Sequence, residues 1–251
     1  NDGLNPGQML ARPMKALLLL NVEPLLDAAD AAKARASLQG SGLVVALTPF
    51  KDASTEHADV LLPIAPFTET AGSYINAEGR LQAFHGVVRG LGDSRPGWKV
   101  LRVLGNLLGL PGFSQESVEE VRADALGDTS LLSQRLDNRT AAAPQPQAPA
   151  AGLQRVSDVP VYCSDSLVRR ASSLQMTTDA KAPQVGLPTA LWNQLGLQPG
   201  ARVRVGQGAS TAVLPARLEA SLAANAVRVP AGHDDTSALG PMFGPIKVEA
   251  A

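Results

Sequence analysis

The residue types able to do chemistry are few and scattered along this chain. Among its 251 residues there is one cysteine, Cys163, and there are three histidines, His57, His85 and His233. A single cysteine cannot close an internal disulfide, ligate an iron–sulfur cluster by itself or build a cysteine-rich zinc site. The histidines lie far apart and none has metal-ligand spacing, so no metal site is expected and each reads as a surface or loop residue. No Gly-x-Ser-x-Gly elbow is present to expose a nucleophilic serine. Glu119-Glu120 and Asp234-Asp235 are adjacent pairs whose side chains point apart, which does not make an acid–base pair. No catalytic residue is therefore expected. A denser polar stretch holds Asp59 at the start of an apolar run, with Asn76, Glu78 and Arg80 at alternate positions further on. On an extended chain alternate positions share a face. They predict a buried Glu78–Arg80 network pinning a loop, or a ligand contact, since a guanidinium suits phosphate and carboxylate alike. Asp59 predicts a cap or loop hydrogen bond, or a nucleotide contact.

The charge pattern excludes several classes. Net charge is −1, and 18% of residues are charged. No basic block exceeds two adjacent residues, and aromatics are only 4%, so neither a cationic strip nor stacking platforms for nucleic acid are present. The longest apolar runs are about half of what spans a bilayer, so no membrane insertion is expected. The chain opens at Asn1 without a signal-peptide pattern and reads as a piece of something longer, or as a processed product.

The elements that must position these residues fall into two blocks. Residues 141–152 (AAAPQPQAPAAG) lack apolar periodicity, and their prolines block regular hydrogen bonding. They predict a linker between a domain at 1–140 and a domain at 153–251. In the first block, Met14–Leu20, Leu43–Leu47 and Asp59–Leu62 are strand-like apolar runs. A helix is expected over Leu25–Leu38, ended by Gly40 and Gly42, and Lys51–His57 predicts a short one. This order indicates an α/β domain with buried parallel strands. Trp98–Leu108 and Gln115–Leu126 predict further helices. In the second block, Val203–Val205, Ala212–Leu214 and Ala226–Val229 are short strands among Gly and Pro turns, with one short helix at Pro188–Leu195. They predict a small six-stranded barrel.

The segment from Phe50 to Gln82 resembles the molybdopterin oxidoreductase family, which includes formate dehydrogenases, nitrate reductases and the large subunit of complex I. The residues that carry it are Ala58-Asp59-Val60-Leu61-Leu62-Pro63, Glu69, Gly72-Ser73, Asn76, Glu78-Gly79-Arg80 and Gln82, with Arg95-Pro96-Gly97-Trp98 later. Val161-Tyr162, Leu167 to Ala171, Ser173-Leu174-Gln175, Leu195 to Gly200 and Val203-Arg204-Val205 resemble the C-terminal barrel of the complex I branch, found in its large iron–sulfur subunit. The resemblance implies a Rossmann-like parallel-sheet domain followed by a small double-psi β-barrel. It implies a structural role, supporting electron transfer from NADH to quinone through clusters held elsewhere.

The resemblance further implies 4Fe-4S and 2Fe-2S clusters in the rest of the large protein and none in this chain. The partners implied are the N-terminal part of the same large polypeptide, the flavoprotein NADH-binding subunit and other peripheral-arm subunits. The implied location is the cytoplasmic side of a bacterial inner membrane. Three departures from the family pattern stand out. The Thr-rich turn is Asp52-Ala53-Ser54-Thr55, where the hydroxyl of Ser54 can donate to phosphate or ribose oxygen but Asp52 repels phosphate. An early Gly is Asn21, and the barrel's Gly-Asp has Ala201 in place of Asp. Ser54, Asp59, Asn76, Glu78 and Arg80 are therefore candidates for vestigial cofactor contacts. Two alternatives stay open. In one the chain forms part of a molybdopterin dinucleotide pocket in a molybdenum or tungsten oxidoreductase such as formate dehydrogenase. In the other it is a non-redox binding or assembly module. The pair Arg169-Arg170, after Asp165, predicts a tie between the two domains or to a neighbouring subunit.

Overall fold

The computed structural model describes residues 3–51, 53–137 and 151–251. Asp52, the side chain of Ser54 and most of the 141–152 stretch lie outside the described residues. In chain order the elements are α1 (Pro6–Leu10), β1 (Leu17–Leu20), α2 (Pro24–Asp27), α3 (Ala31–Gly40), β2 (Val44–Thr48), β3 (Val60–Pro63), β4 (Gly72–Ile75), β5 (Leu81–Phe84), α4 (Gly97–Leu107) and α5 (Val118–Leu126). There follow β6 (Gln154–Val156), α6 (Ser172–Gln175), β7 (Val185–Leu187), α7 (Thr189–Gln194), β8 (Arg202–Gln207), β9 (Ser210–Leu218), β10 (Ala226–Arg228), β11 (Gly244–Pro245) and β12 (Lys247–Ala250). The described residues group into two compact units. The first holds 3–46, 51, 53–60 and 151–251, and the second holds 47–50 and 61–137.

Strands β1, β2 and β3 form a parallel, Rossmann-like sheet in that order. Each is a short aliphatic run, but only β2 is mostly buried; β1 and β3 leave Leu18, Leu20, Val60 and Leu61 exposed, so the burial expected of all three strands holds for the central one, which has a neighbour on both edges. Leu17, Leu25, Leu38 and Val44 close a small core there, with Met14, Leu19 and Ala58 against it. Gly42 sits where a Cβ would come 2.9 Å from the Lys15 carbonyl oxygen, so the α3–β2 turn passes β1 too closely for any side chain.

The helix expected over Leu25–Leu38 is broken in two. α2 ends at Asp27, Ala28 is extended, and Asp30 caps α3 by accepting from the Lys33 amide at 3.0 Å. An Asp inside an Ala-rich run competes for local backbone donors, so it restarts the helix rather than continuing it. The expected stop at Gly40 matches the end of α3.

The C-terminal strands form one seven-stranded mixed sheet, in the order β11-β6-β10-β7-β9-β8-β12, not the six strands expected. β6 runs parallel to β10 and β7 parallel to β9, while the remaining pairings are antiparallel. The two edge strands, β11 and β12, are joined through Ile246 alone, so chain continuity brings the edges together and nearly closes the sheet. The hairpin β8–β9 turns through Gly208-Ala209, with Gly208 at φ 58° supplying the positive φ that a two-residue turn needs at its first position. Val203 and Val205 point inward and are fully buried, while Arg202 and Arg204 point out. This alternation is the strand period of two. Val185, Leu187, Leu214, Val227, Val229 and Leu239 fill the interior with them.

The second unit contains the hairpin β4–β5, in register from Gly72 opposite Phe84 to Ile75 opposite Leu81. Tyr74 and Phe84 stack across it with ring centroids 5.4 Å apart. α4 and α5 lie where their apolar spacing and Pro96 predict helices, and Ser117 caps α5 by accepting from the Glu120 amide.

Candidate functional site

The first unit holds a cleft of about 450 Å³ lined by Glu23, Leu26, Lys51, Tyr162, Cys163, Arg169, Arg170, Gln175, Gly232, His233 and Asp234. Its floor begins at the end of β1. Asn21 takes φ 50°, the left-handed region, and is the sole non-glycine residue to do so among the described residues. Asn tolerates this conformation because its short amide can bond locally. The sharp turn is therefore held even though a side chain occupies it. The turn delivers Glu23 to the start of α2.

Glu23 is 2% exposed. Its Oε2 accepts from Arg169 Nη1 at 2.7 Å, and its Oε1 lies 2.6 Å from Arg170 Nη1, close enough for charge pairing though off-line for a hydrogen bond. Arg169 also reaches Asp27 Oδ1 at 2.5 Å, and Asp27 Oδ2 accepts from the Glu23 amide at 2.7 Å. Arg169 Nε donates to the Cys163 carbonyl at 3.0 Å. Burial alone would lower the Arg169 pKa, but bonding and charge from Asp27 and Glu23 outweigh it and raise the value. Two guanidiniums facing two carboxylates make a neutral, closed network. A carboxylate buried this deeply is stable only because it is paired.

Beside the network, Cys163 Sγ lies 3.7 Å from His233 Nδ1 and 3.5 Å from Nε2. Burial raises the Cys163 thiol pKa, against the pull of Arg169, and Asp234 raises it further. Burial lowers the His233 imidazole despite Asp235, Asp234 and Asp158, with Arg169 lowering it too. Both shifts favour the neutral forms, and the sulfur is about as far from one ring nitrogen as from the other. The pair is thus a neutral contact, not an activated thiolate–imidazolium nucleophile. Among the described residues no group of three or more His, Cys, Asp and Glu gathers as metal ligands would.

The residues singled out from the sequence divide between the units. Asp59 belongs to the first, where its Oδ2 accepts from the Val44 amide at 2.7 Å and anchors the start of β2. Asn76, Glu78 and Arg80 belong to the second and form the β4–β5 turn. Asn76 Oδ1 accepts from the Glu78 and Arg80 amides at 3.0 and 2.9 Å. Glu78 and Arg80 are largely exposed and 3.8 Å apart, so the expected buried network is an open surface pair. A tight hairpin turn is too short to place alternate residues on one buried face. His57 and His85 are not among the cleft residues, whereas His233, a partly buried loop residue, lines the cleft. Arg169 and Arg170 do form a tie, to Glu23 and Asp27 of the same unit.

Glu23 has no sequence signal beyond its place after a strand, since Arg169 is 146 residues away in the chain. Arg155 is similarly silent in sequence. It is 2% exposed inside the seven-stranded sheet, where it donates to Gln207 Oε1 at 2.9 Å and to the carbonyls of Val229, Pro230, Gly240 and Pro241. Burial lowers its pKa to about 10, opposed by Asp30. It cross-links strand ends through neutral acceptors.

The family model for molybdopterin oxidoreductases matches residues 2–107. That span is under half of the chain. The G subunit of NADH-quinone oxidoreductase from Mycobacterium bovis is 43% identical over 77 residues, which are 31% of this chain and 9% of that protein. A putative formate dehydrogenase of Staphylococcus aureus is 33% identical over 75 residues, 30% of this chain and 8% of that protein. The solved acetylene hydratase from Pelobacter acetylenicus shares the fold at TM-score 0.68 and 15% identity, over 98% of this chain and 46% of that one. The aligned stretches thus span under a tenth of the curated relatives' lengths.

The cleft fits a bound molybdopterin dinucleotide in part. Its volume suits a nucleotide-sized ligand, and the turn at Asn21 keeps the backbone path of a glycine. The charges do not favour its phosphates, because Arg169 and Arg170 are held by Glu23 and Asp27. If the group is held there, Lys51 and Tyr162 are the residues placed to meet it, and the redox chemistry is the group's own.

Proposed function

We propose that the chain is a pocket-walling, non-redox part of the large subunit in a molybdenum or tungsten oxidoreductase of the formate dehydrogenase kind. The observation that carries this reading is the fold likeness along 98% of the chain to one solved protein, joined to a polar cleft that begins at the left-handed Asn21 turn. In it, the first unit shapes one wall of a dinucleotide pocket. The Rossmann-like sheet and a double-psi barrel form that wall, and the two domains are bounded at 1–140 and 153–251.

A second reading is favoured by a specific observation. The higher identity is to the NADH-quinone oxidoreductase relative, and the arginines of the cleft are neutralised by Glu23 and Asp27. On that reading the chain is a scaffold within the large peripheral-arm component of an NADH:quinone oxidoreductase. The 4Fe-4S and 2Fe-2S clusters sit elsewhere in the same polypeptide. A flavoprotein partner delivers electrons on the cytoplasmic side of the membrane. No helix among the described residues is long and apolar enough to cross a membrane.

One preparation separates the two. The native assembly is purified, and molybdenum, tungsten and iron are measured per complex with subunit masses from the same sample. Stoichiometric molybdenum or tungsten with a pterin is expected. Abundant iron with a flavoprotein partner and neither heavier metal overturns the first reading in favour of the second.

A further inference from the structure

Gly206 lies inside β8, a strand with a neighbour on each side, opposite Thr211 of β9 and Lys247 of β12. A glycine in a strand interior weakens the strand, and it commonly marks a bulge, a tight bend or a close approach of backbone or ligand. No bulge is present, because both ladders run through Gly206 without a skipped residue. Its φ lies outside the left-handed region, so no turn demands glycine. The protein itself does not crowd the position either. A Cβ there would meet Ser210 O and Thr211 Cγ2 at 3.7 Å, an ordinary contact distance. The fold thus has no steric need of glycine at 206, which leaves the approach of a ligand.

The missing side chain opens a cleft of about 400 Å³. Leu153, Pro245 and Ile246 give it an apolar wall, and Arg204, Lys247 and Glu249 line it with charge. Residues directly opposite in a ladder share a face, so Arg204, Gly206, Lys247 and Glu249 all stand on the outer face of the sheet. Arg204 and Lys247 are diagonal neighbours there, close enough for two such long side chains to meet at one group. Among the described residues neither makes an ion pair, not even Arg204 with Glu249 directly opposite. Two open cations against one carboxylate favour an anion, and a glycine floor lets a flat group lie on the strand.

We propose that this cleft binds a small organic anion with a flat apolar body, its carboxylate or phosphate held by Arg204 and Lys247 and its body seated over Gly206. The guanidinium fork grips two oxygens at once and the ammonium adds a point charge. The body loses water against Leu153, Pro245 and Ile246. The cleft shares no lining residue with the one that begins at the Asn21 turn, so the inference rests on neither functional reading.

The test is calorimetric titration of the full-length protein with phenyl phosphate and with benzoate, which separate phosphate from carboxylate recognition. Benzamidinium, flat but cationic, and inorganic phosphate, anionic but without a body, are the controls. Saturable binding of at least one aryl anion is expected, tighter than inorganic phosphate, with none of benzamidinium. Arg204→Ala and Lys247→Ala should each weaken it about tenfold. Gly206→Ala should weaken it while leaving the melting temperature unchanged or raised, since alanine fits this strand and narrows the unfolded ensemble. A lower melting temperature with binding intact would make Gly206 a requirement of the fold and overturn the proposal. No saturable binding of either aryl anion, equal binding of benzamidinium, or undiminished affinity in both Arg204→Ala and Lys247→Ala would overturn it as well.

Discussion

The seven-stranded sheet and the second unit hold similar apolar material and dispose of it in opposite ways. Within the sheet, Val185, Leu187, Val203, Val205, Val227, Val229 and Leu239 are all fully buried. In the second unit the buried aliphatic residues among those described are Leu47, Ile64, Ala65 and Leu132, while Val87, Leu91, Leu107 and Leu108 stand mostly in solvent. α4 illustrates the contrast. It has a clear apolar stripe, yet its one buried residue is Gly105, which lies under the Phe113 ring, while Trp98, Leu101 and Leu104 are only half-buried and Leu108 is exposed. A sheet that nearly closes buries its own inner face by geometry, whereas a helix needs another layer to cover its stripe. The sheet supplies its own cover, and the stripe of α4 does not.

This contrast is easiest to break from the sheet side. Leu187→Ala removes a fully buried side chain from a closed core and is expected to cost about 4 kcal/mol. Denaturant unfolding measures it, and a loss below about 1 kcal/mol would mean the interior relaxes like a loose surface layer. Arg169→Ala comes next. It leaves Glu23 buried without its best partner and is expected to cost about 3 kcal/mol. Arg169→Lys keeps the charge but not the two-pronged reach to Glu23 and Asp27, so it should fall between wild type and alanine. Equal stability of all three would remove the network from the account of the cleft.

A smaller effect follows from His233. Burial holds its imidazole pKa below the ordinary 6.5, so the folded protein resists a proton that the unfolded chain accepts. Stability should therefore fall as pH drops through and below that value. Thermal melts between about pH 5 and 8 should show a shallower slope for His233→Gln than for wild type, and an unchanged slope would assign the acid sensitivity to other groups. Asp158 contributes separately and lower on the scale. Hydrogen bonding to Arg228 holds its carboxyl below the usual 3.8, with burial opposing, so its contribution is lost as pH falls further. The smallest change is expected from Leu107→Lys in the 251-residue chain, within about 0.5 kcal/mol, because that side chain is 79% exposed. A large loss there would mean the second unit buries more than its surface suggests.

Much of the fold is legible in the sequence because its signals are local. The runs at Met14–Leu20 and Leu43–Leu47, the alternation around Val203 and Val205, and the apolar spacing of Trp98–Leu108 each report a period that one element can satisfy. The turn at Asn21 is legible as a departure from a family glycine, though its left-handed φ is not. Local competition is harder to read. Asp30 splits a helix that composition favours, and the β4–β5 hairpin turns residues expected to share a buried face into a surface turn.

The sequence by itself determined where most strands and helices lie, which stretches carry the family pattern and that no cluster of cysteines could hold a cofactor. Only the tertiary structure decided that Glu23 meets Arg169 and Arg170, that Cys163 lies against His233, and that Arg155 reaches five neutral acceptors across the sheet. These pairings join residues separated by 52 to 147 positions. Chain periodicity carries no information over such distances. Burial decides them instead, because a charge removed from water must find a partner wherever the fold happens to bring one.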